Sequence, residues 1–267
     1  MPEITSGKPD LEETWSKPFR VNSSESFDFV WKAHVQKELC QWAGDYQDPK
    51  KLGKGAQEAK MTGRAQQGVT NGLKEWTELM NAWAPPKCVD LAPITGGTTF
   101  MNNMWMFGLY PNMTYAGFGP NSASLLRFVV LGEITMLLIE PLSLLQIMGD
   151  AAKCPENLKG KSLTTLDELF QTIQNFTTED LNALATQGAT MLTTVQTKGS
   201  LLFVPQSWIV IEFTKPSSSS PLHYGIRKSF MLKSIAATQL YKRCLQFFAD
   251  SGRDTSRMAE ILKLMEA

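Results

Sequence analysis

Two histidines are the residues of this chain best suited by type to metal binding or proton transfer. His34 lies four positions before Glu38 in a helical pattern, a spacing at which a carboxylate can orient an imidazole for acid–base chemistry. A histidine on the apolar side of a helix is, however, more commonly a core residue. His223 lies shortly before Arg227 and Lys228 at the start of a predicted strand. It is a candidate contact for an anionic ligand together with Arg227, and the end of a surface strand is the simpler interpretation.

The four cysteines, Cys40, Cys88, Cys154 and Cys244, are separated by 48, 66 and 90 positions. These intervals match neither a zinc-ligand spacing nor a dense disulfide framework, so we expect reduced thiols in an intracellular protein, cytoplasmic or nuclear. The sequence contains no Gly-x-Ser-x-Gly, no phosphate-binding Gly-x4-Gly-Lys-Ser/Thr and no His-Glu-x-x-His. We therefore assign no catalytic residue, no metal ligand and no cofactor from motifs.

Overall charge argues against a nucleic-acid binder, because 26 basic and 26 acidic side chains give a net charge of zero. The N-terminus lacks the apolar segment of a signal peptide. The most apolar stretch, Leu125 to Leu145, includes Arg127, Glu133 and Glu140, which would be costly inside a bilayer. We predict that it is buried sheet and that the chain has no membrane segment.

Charge is distributed unevenly along the chain. Basic and acidic residues number 12 and 13 in 1–90, 6 and 9 in 91–226, and 8 and 4 in 227–267. A charge-poor centre between charged flanks indicates that the centre is the buried core. The predicted organisation is a flexible lead-in at 1–26, a helical N-terminal region at 27–90, a β core at 91–230 with a helical insertion at about 160–188, and C-terminal helices at 231–267.

Short apolar runs bounded by Gly, Pro and Asn predict the strands. They are Thr99–Phe107, Leu125–Leu131, Thr135–Ile139, Thr190–Gln196, Ser200–Val204 and Trp208–Phe213. Capping boxes at Thr165 and Thr177 predict two helices inside this region. Apolar residues at helical spacing predict N-terminal helices at Phe27–Trp42 and Val69–Trp83, and C-terminal helices on either side of Gly252.

Glycines and prolines punctuate two of the predicted strand pairs in a recognisable order. Gly199 is followed by an apolar strand, Pro205, Trp208 and a second apolar strand, and the earlier pair contains Gly132 and ends at Pro141. These segments resemble the double-stranded β-helix of the JmjC/cupin superfamily. The resemblance implies an α+β protein with an antiparallel jelly-roll or cupin-like β core and flanking N-terminal and C-terminal helices. The resemblance also requires Ser200–Val204 and Trp208–Phe213 to be adjacent antiparallel strands, and it fails if they are not.

Active members of that superfamily bind iron, and often 2-oxoglutarate, inside the barrel. The resemblance places the family's His-x-Asp pair at Gly119-Pro120-Asn121, its last histidine at Val210 and its frequent lysine near Ile134. None of these residues is a good ligand for ferrous iron, although Asn121 has a weakly suitable oxygen. The resemblance therefore implies a barrel without the usual metal site.

These observations favour a non-catalytic binding or scaffold protein that holds a protein partner or a small apolar ligand. Candidate contacts are Asn121, His223, Arg227 and, in the Met/aromatic stretch Phe100 to Phe118, Trp105. One alternative is a divergent Fe(II)/2-oxoglutarate-dependent oxygenase with relocated ligands such as His223, Asn121 and an acidic residue. Another is an assembly subunit of an oligomer, and the sequence does not choose an oligomeric state.

Overall fold

A computed structural model describes residues 18–21, 64–68, 88–95, 105–109, 114–117, 122–159, 171–214, 223–250, 252 and 254–267. Both predicted N-terminal helices, His34, the capping box at Thr165 and the Gly119–Asn121 segment lie outside the described residues.

The described part of the chain is mixed α and β, with ten strands arranged in two antiparallel sheets. The strands are β1 Phe19–Val21, β2 Arg64–Gly68, β3 Trp105–Leu109, β4 Thr114–Gly117, β5 Ser124–Leu131, β6 Glu133–Ile139, β7 Met191–Thr197, β8 Leu201–Val204, β9 Ile209–Phe213 and β10 His223–Phe230. One sheet has the order β1-β8-β5-β10-β3-β2 and the other has the order β4-β9-β6-β7. The predicted fold class, α+β with an antiparallel β core, is confirmed at this level.

The six predicted strands are all present, and their described ends lie within two residues of the predicted ends. The predicted start of β3 at Thr99 lies outside the described residues. Two strands also occur in segments predicted to be flexible or helical, namely β1 and β2. Strand β1 pairs with β8, and β2 pairs with β3. These edge strands carry little periodic signal, so their pairing partners decide their conformation.

The expected pairing of Ser200–Val204 with Trp208–Phe213 was wrong. Strand β8 pairs with β1 and β5, whereas β9 belongs to the other sheet and pairs with β4 and β6. Between them, Pro205 has no N–H to donate, and Ser207 has a left-handed backbone with φ of 66°. The link therefore carries the chain from one sheet to the other and does not close a hairpin.

The two sheets face each other across an apolar layer. Its members come from both sheets and are Phe107, Leu109, Leu125, Val129, Ile134, Met136, Leu138, Leu202, Val204, Trp208 and Val210. Because side chains alternate between the two faces of a strand, every second residue of each strand points into this layer. Below, the inner faces are the faces of the sheets that these residues occupy.

Helices cover the outer face of the four-stranded sheet. After the short helix α1, Ala92–Thr95, the chain forms α2, Pro141–Gly149, and α3, Thr178–Thr186. Residues 171–174 are also helical, and Leu144, Ile173 and Leu184 pack with the outer side of β6 and β9. The predicted capping box of α3 is present, since Thr177 Oγ1 accepts from the Asp180 N–H at 3.1 Å and Asp180 Oδ2 accepts from the Thr177 N–H at 2.8 Å.

Helix α2 corrects the prediction that Leu125 to Leu145 is sheet throughout. The sheet ends at Ile139, and the carboxylate of Glu140 accepts hydrogen bonds from the N–H groups of Leu142 and Ser143 at 3.1 and 2.7 Å. Pro141 occupies the first helical position, where a missing N–H costs nothing. Capping by Glu140 and the fixed φ of Pro141 thus begin a helix in an apolar segment whose composition alone does not separate helix from strand.

The predicted C-terminal helices are present as α4, Ile235–Asp250, and α5, Ser256–Glu266. Gln206, in the link between β8 and β9, holds α4 against the sheets. Its Nε2 donates to the Ala237 carbonyl at 2.9 Å, and its Oε1 accepts from the Leu232 N–H at 3.0 Å. Among the described residues, no helix is long and apolar enough to cross a membrane.

Candidate functional site

Two arginines lie side by side on the inner face of the six-stranded sheet. Arg127 of β5 and Arg227 of β10 are directly opposite each other in the antiparallel register, so their side chains project from the same face. The residues are 0% and 4% exposed. Charged side chains are rarely buried to this degree unless they have partners, so this row is the most unusual polar feature of the described core.

Arg127 forms an ion pair with Glu212 across the space between the sheets. The contact joins Arg127 Nη1 of β5 to Glu212 Oε1 of β9, and both side chains are 1% exposed. Removing two charges from water costs several kcal/mol, which their attraction offsets only when the geometry is favourable. The pair therefore links the inner faces of the two sheets.

The guanidinium of Arg127 also stacks on an aromatic ring. Its Cζ lies 4.4 Å from the centroid of the Phe107 ring, within the range of a cation–π interaction. Phe107 is itself fully buried and lies against Gly225 of β10, where a β-carbon would come within 3.0 Å of the ring. The backbone at Gly225 thus allows the ring to take up its position beside the guanidinium.

Strand β7 contributes uncharged polar groups to the same interior. Gln196, which is fully buried, donates from Nε2 to the Arg127 carbonyl at 3.4 Å, a long hydrogen bond. At the edge of the sandwich, Arg20 donates from Nη1 to Thr194 Oγ1 at 3.2 Å and to the Val195 carbonyl at 2.8 Å. Arg20 thereby connects edge strand β1 of one sheet to edge strand β7 of the other.

His223 is buried at the end of the sandwich where β5 turns into β6. Its Nδ1 accepts a hydrogen bond from the Glu133 N–H at 2.9 Å. An acceptor Nδ1 means that a neutral ring carries its proton on Nε2. Gly132, with φ of +90°, lies so close that an added β-carbon would overlap His223 Nδ1. His223 therefore connects the first residue of β10 to the first residue of β6.

The four candidate contacts predicted from the sequence are only partly brought together. His223 and Arg227 lie four residues apart on the same face of β10, and Arg227 is opposite Trp105 of β3 in the register. Asn121 lies outside the described residues. Of the Met/aromatic stretch, Phe107 is buried between the sheets.

The residues of the family resemblance occupy turns, strand ends and the core. Gly132 and Gly199 both have positive φ, at 90° and 82°, in the turns that follow β5 and β7. Pro141 begins α2, and Pro205 directly follows β8. Trp208 is 3% exposed and packs in the layer between the sheets.

Of the positions that the resemblance assigns to metal and cofactor binding, two lie in the same interior, and Gly119–Asn121 lies outside the described residues. Val210 and Ile134 are buried in the apolar layer, and Gly117 of β4 is opposite Val210 in the register. A ferrous site needs several nitrogen or oxygen ligands that converge on the ion. Val210, Ile134 and Gly117 have none, and the described residues contain no group of three or more His, Cys, Asp or Glu side chains able to hold a metal. The described interior does not fit iron.

Two of the described thiols are poor nucleophiles. Burial raises the pKa of Cys244 to about 11, against a smaller opposing effect of the nearby Ser207 side chain. Partial desolvation raises the pKa of Cys88 to about 11 although the residue is exposed, and the nearby charge of Lys228 opposes the shift. Because the thiolate is the reactive form, neither sulfur is activated at neutral pH.

Sequence reasoning missed the central pair of this site, Arg127 and Glu212. Each is the lone charge within a short apolar strand, in Leu-Leu-Arg-Phe-Val and Ile-Val-Ile-Glu-Phe. In a centre so poor in charge, an ionised residue inside an apolar strand indicates a buried partner. Comparison with known proteins gives no further assignment, because no family model and no curated protein matches the chain.

Proposed function

We propose that the chain is a non-catalytic binding or scaffold protein built on a jelly roll of the JmjC/cupin type. The crossing of the chain between the sheets supports the jelly-roll part of this proposal, whereas β8 and β9 are not the adjacent pair that the JmjC/cupin resemblance required. From β4 to β10, the chain passes repeatedly between two facing antiparallel sheets, and strands distant in sequence, such as β5 and β10, become neighbours. A jelly roll places eight strands in two sheets with Greek-key connections of this kind.

One observation carries the functional part. Two inner positions that the resemblance assigns to the last histidine and to the lysine have Val210 and Ile134, while Arg127 between the sheets is ion-paired with Glu212. An interior of this composition supports a folded scaffold better than it supports redox chemistry. The proposed binding target is a protein partner or a small apolar ligand.

Metal analysis and thermal melting test this proposal on the full chain. We expect purified protein to contain no stoichiometric iron, and we expect no change in melting temperature on anaerobic addition of ferrous iron with 2-oxoglutarate. Stoichiometric iron that is lost in His223→Ala would overturn the proposal in favour of an oxygenase with relocated ligands. Arg257→Ala, on the exposed surface of α5, is the matched control and should leave metal content unchanged.

A further inference from the structure

We infer that Glu212 forms a guanidinium site between the two sheets, and that the chain fills this site with its own Arg127. Arg127 would then be a built-in cation at the centre of the sandwich. This inference extends the proposed function, because it explains how a carboxylate is held in that interior without a metal ion. The contacts that support it do not depend on the family resemblance.

The surroundings of the Arg127 side chain suit a planar cation. Glu212 offers carboxylate oxygens from the four-stranded sheet, and the ring of Phe107 offers its face from β3, two strands away from β5 in the six-stranded sheet. A guanidinium can donate hydrogen bonds in its plane to a carboxylate while its flat face contacts an aromatic ring. A small spherical ion cannot stack its flat face on the aromatic ring as a guanidinium does.

The residues beside Glu212 whose side chains the structure describes are poor ligands for a divalent ion. Met136 is opposite Glu212 in the register of β6 and β9, and Val210 is the preceding inner residue of β9. A Mg²⁺, Mn²⁺ or Fe²⁺ ion would thus have one carboxylate and few further oxygen or nitrogen ligands at this point. The chemistry of the described neighbours favours a guanidinium over a metal ion.

This assignment predicts unequal effects of single and double substitutions. Removal of Arg127 alone takes the ion-paired guanidinium away from a buried carboxylate, and we expect the folding equilibrium constant to fall roughly a hundredfold or more. Simultaneous replacement by apolar residues of similar size, as in Arg127→Met with Glu212→Leu, removes both charges together. We expect this double variant to retain most of the wild-type folding equilibrium constant.

Chemical rescue of the full-length Arg127→Ala variant is the direct test. Guanidinium chloride at low millimolar concentration should raise its melting temperature by several degrees, because a ligand that binds only the folded state stabilises it. Sodium chloride at equal ionic strength should not. The double variant Arg127→Ala with Glu212→Gln is the matched control, and it should gain nothing from guanidinium because the carboxylate is gone.

Two results would overturn the inference. One is an Arg127→Ala variant that folds but responds equally to guanidinium and to sodium. The other is Arg127→Met as stable as the wild type, which would show that the aliphatic stem and not the charge matters. If Arg127→Ala fails to fold in either salt, the stability of the Arg127→Met/Glu212→Leu variant tests the inference instead. A double variant that is unfolded would overturn the inference. None of these readouts depends on iron content, which tests the proposed function separately.

Discussion

The Ser207 N–H donates a hydrogen bond to the Ser122 carbonyl at 2.8 Å, and both serines have left-handed backbones, with φ of 66° and 59°. Ser122 lies just before β5, and Ser207 lies in the link between β8 and β9. Non-glycine residues adopt this conformation at a cost of about 1–2 kcal/mol each. The surrounding structure therefore holds two strained residues together at the end of the sandwich that α4 covers.

Ser122→Gly should relieve part of this strain. We expect the free energy of unfolding to rise by up to about 1 kcal/mol, because glycine adopts positive φ without a steric penalty. Ser122→Ala is the control, since it removes the same buried hydroxyl but keeps the β-carbon. Urea denaturation of both variants checks this, and equal stabilities would show that backbone strain at Ser122 is negligible.

Gly132→Ala should destabilise the protein more than Gly188→Ala. Both glycines have positive φ, at 90° and 97°, but an added β-carbon meets His223 at Gly132 and nothing within 4 Å at Gly188. We expect Gly188→Ala to lower the free energy of unfolding by about 1–2 kcal/mol because of backbone strain. Gly132→Ala should lower it by roughly 1–3 kcal/mol more, because the added β-carbon overpacks against His223. Denaturant melts give both values.

The contact with His223 can be isolated by a second substitution. In the Gly132→Ala/His223→Ala variant the steric overlap is gone, so the additional loss at Gly132 should shrink relative to His223→Ala alone. An unchanged loss would mean that the imidazole moves aside without cost.

Stability should fall at alkaline pH because of Cys244. Its pKa is about 11 in the folded protein and 9.0 for a free thiol, so the folded state holds the proton more tightly. The stabilising effect of the protonated Cys244 thiol on folding is fully present below about pH 9 and is lost as the pH rises. The loss in the free energy of unfolding levels off near pH 11 at a total of about 3 kcal/mol. Burial raises the pKa of the Tyr241 hydroxyl as well, and its ionisation extends the loss to higher pH.

Unfolding free energies measured between pH 7 and 11 test this prediction. Cys244→Ala should lower stability at neutral pH by removing a buried side chain, yet it should make the decline above pH 9 shallower. A decline of equal slope in the variant and the wild type would exclude Cys244 as its source.

Thr177→Ala should weaken helix α3. The substitution removes the hydroxyl that accepts from the Asp180 N–H, and we expect a loss of about 1 kcal/mol. Thr178→Ala, at the exposed next position, should change stability by less than about half that amount. Thermal melts of the two variants make the comparison, and equal effects would argue against a stabilising capping box.

Local signals in the sequence determined most of the strands and the described helices. The capping box at Thr177 and the apolar stripes of the C-terminal helices act within one or two turns, so neighbouring residues suffice to predict them. The apolar runs around Val129, Leu137 and Val210 predicted strands because short buried segments in such a charge-poor centre favour sheet. The same local signals did not predict β1, β2 or α2. Pairing with other strands determines the conformation of β1 and β2, and the cap at Glu140 determines where α2 begins.

Only the tertiary structure decided which strands are neighbours and which charges meet. After Pro205 the chain could turn back beside β8 or pass to the other sheet, and the choice depends on pairing with strands that are distant in the sequence. The chain passes to the other sheet, so β8 and β9 lie in different sheets. Arg127 and Glu212 looked like isolated charges in separate strands until the facing of the two sheets brought them together. His223 was interpreted from the sequence as the end of a surface strand, but in the structure it is buried and accepts a hydrogen bond from the Glu133 N–H. Contacts between segments that are distant in the sequence produce no periodic pattern in either segment, so the sequence could not predict this one.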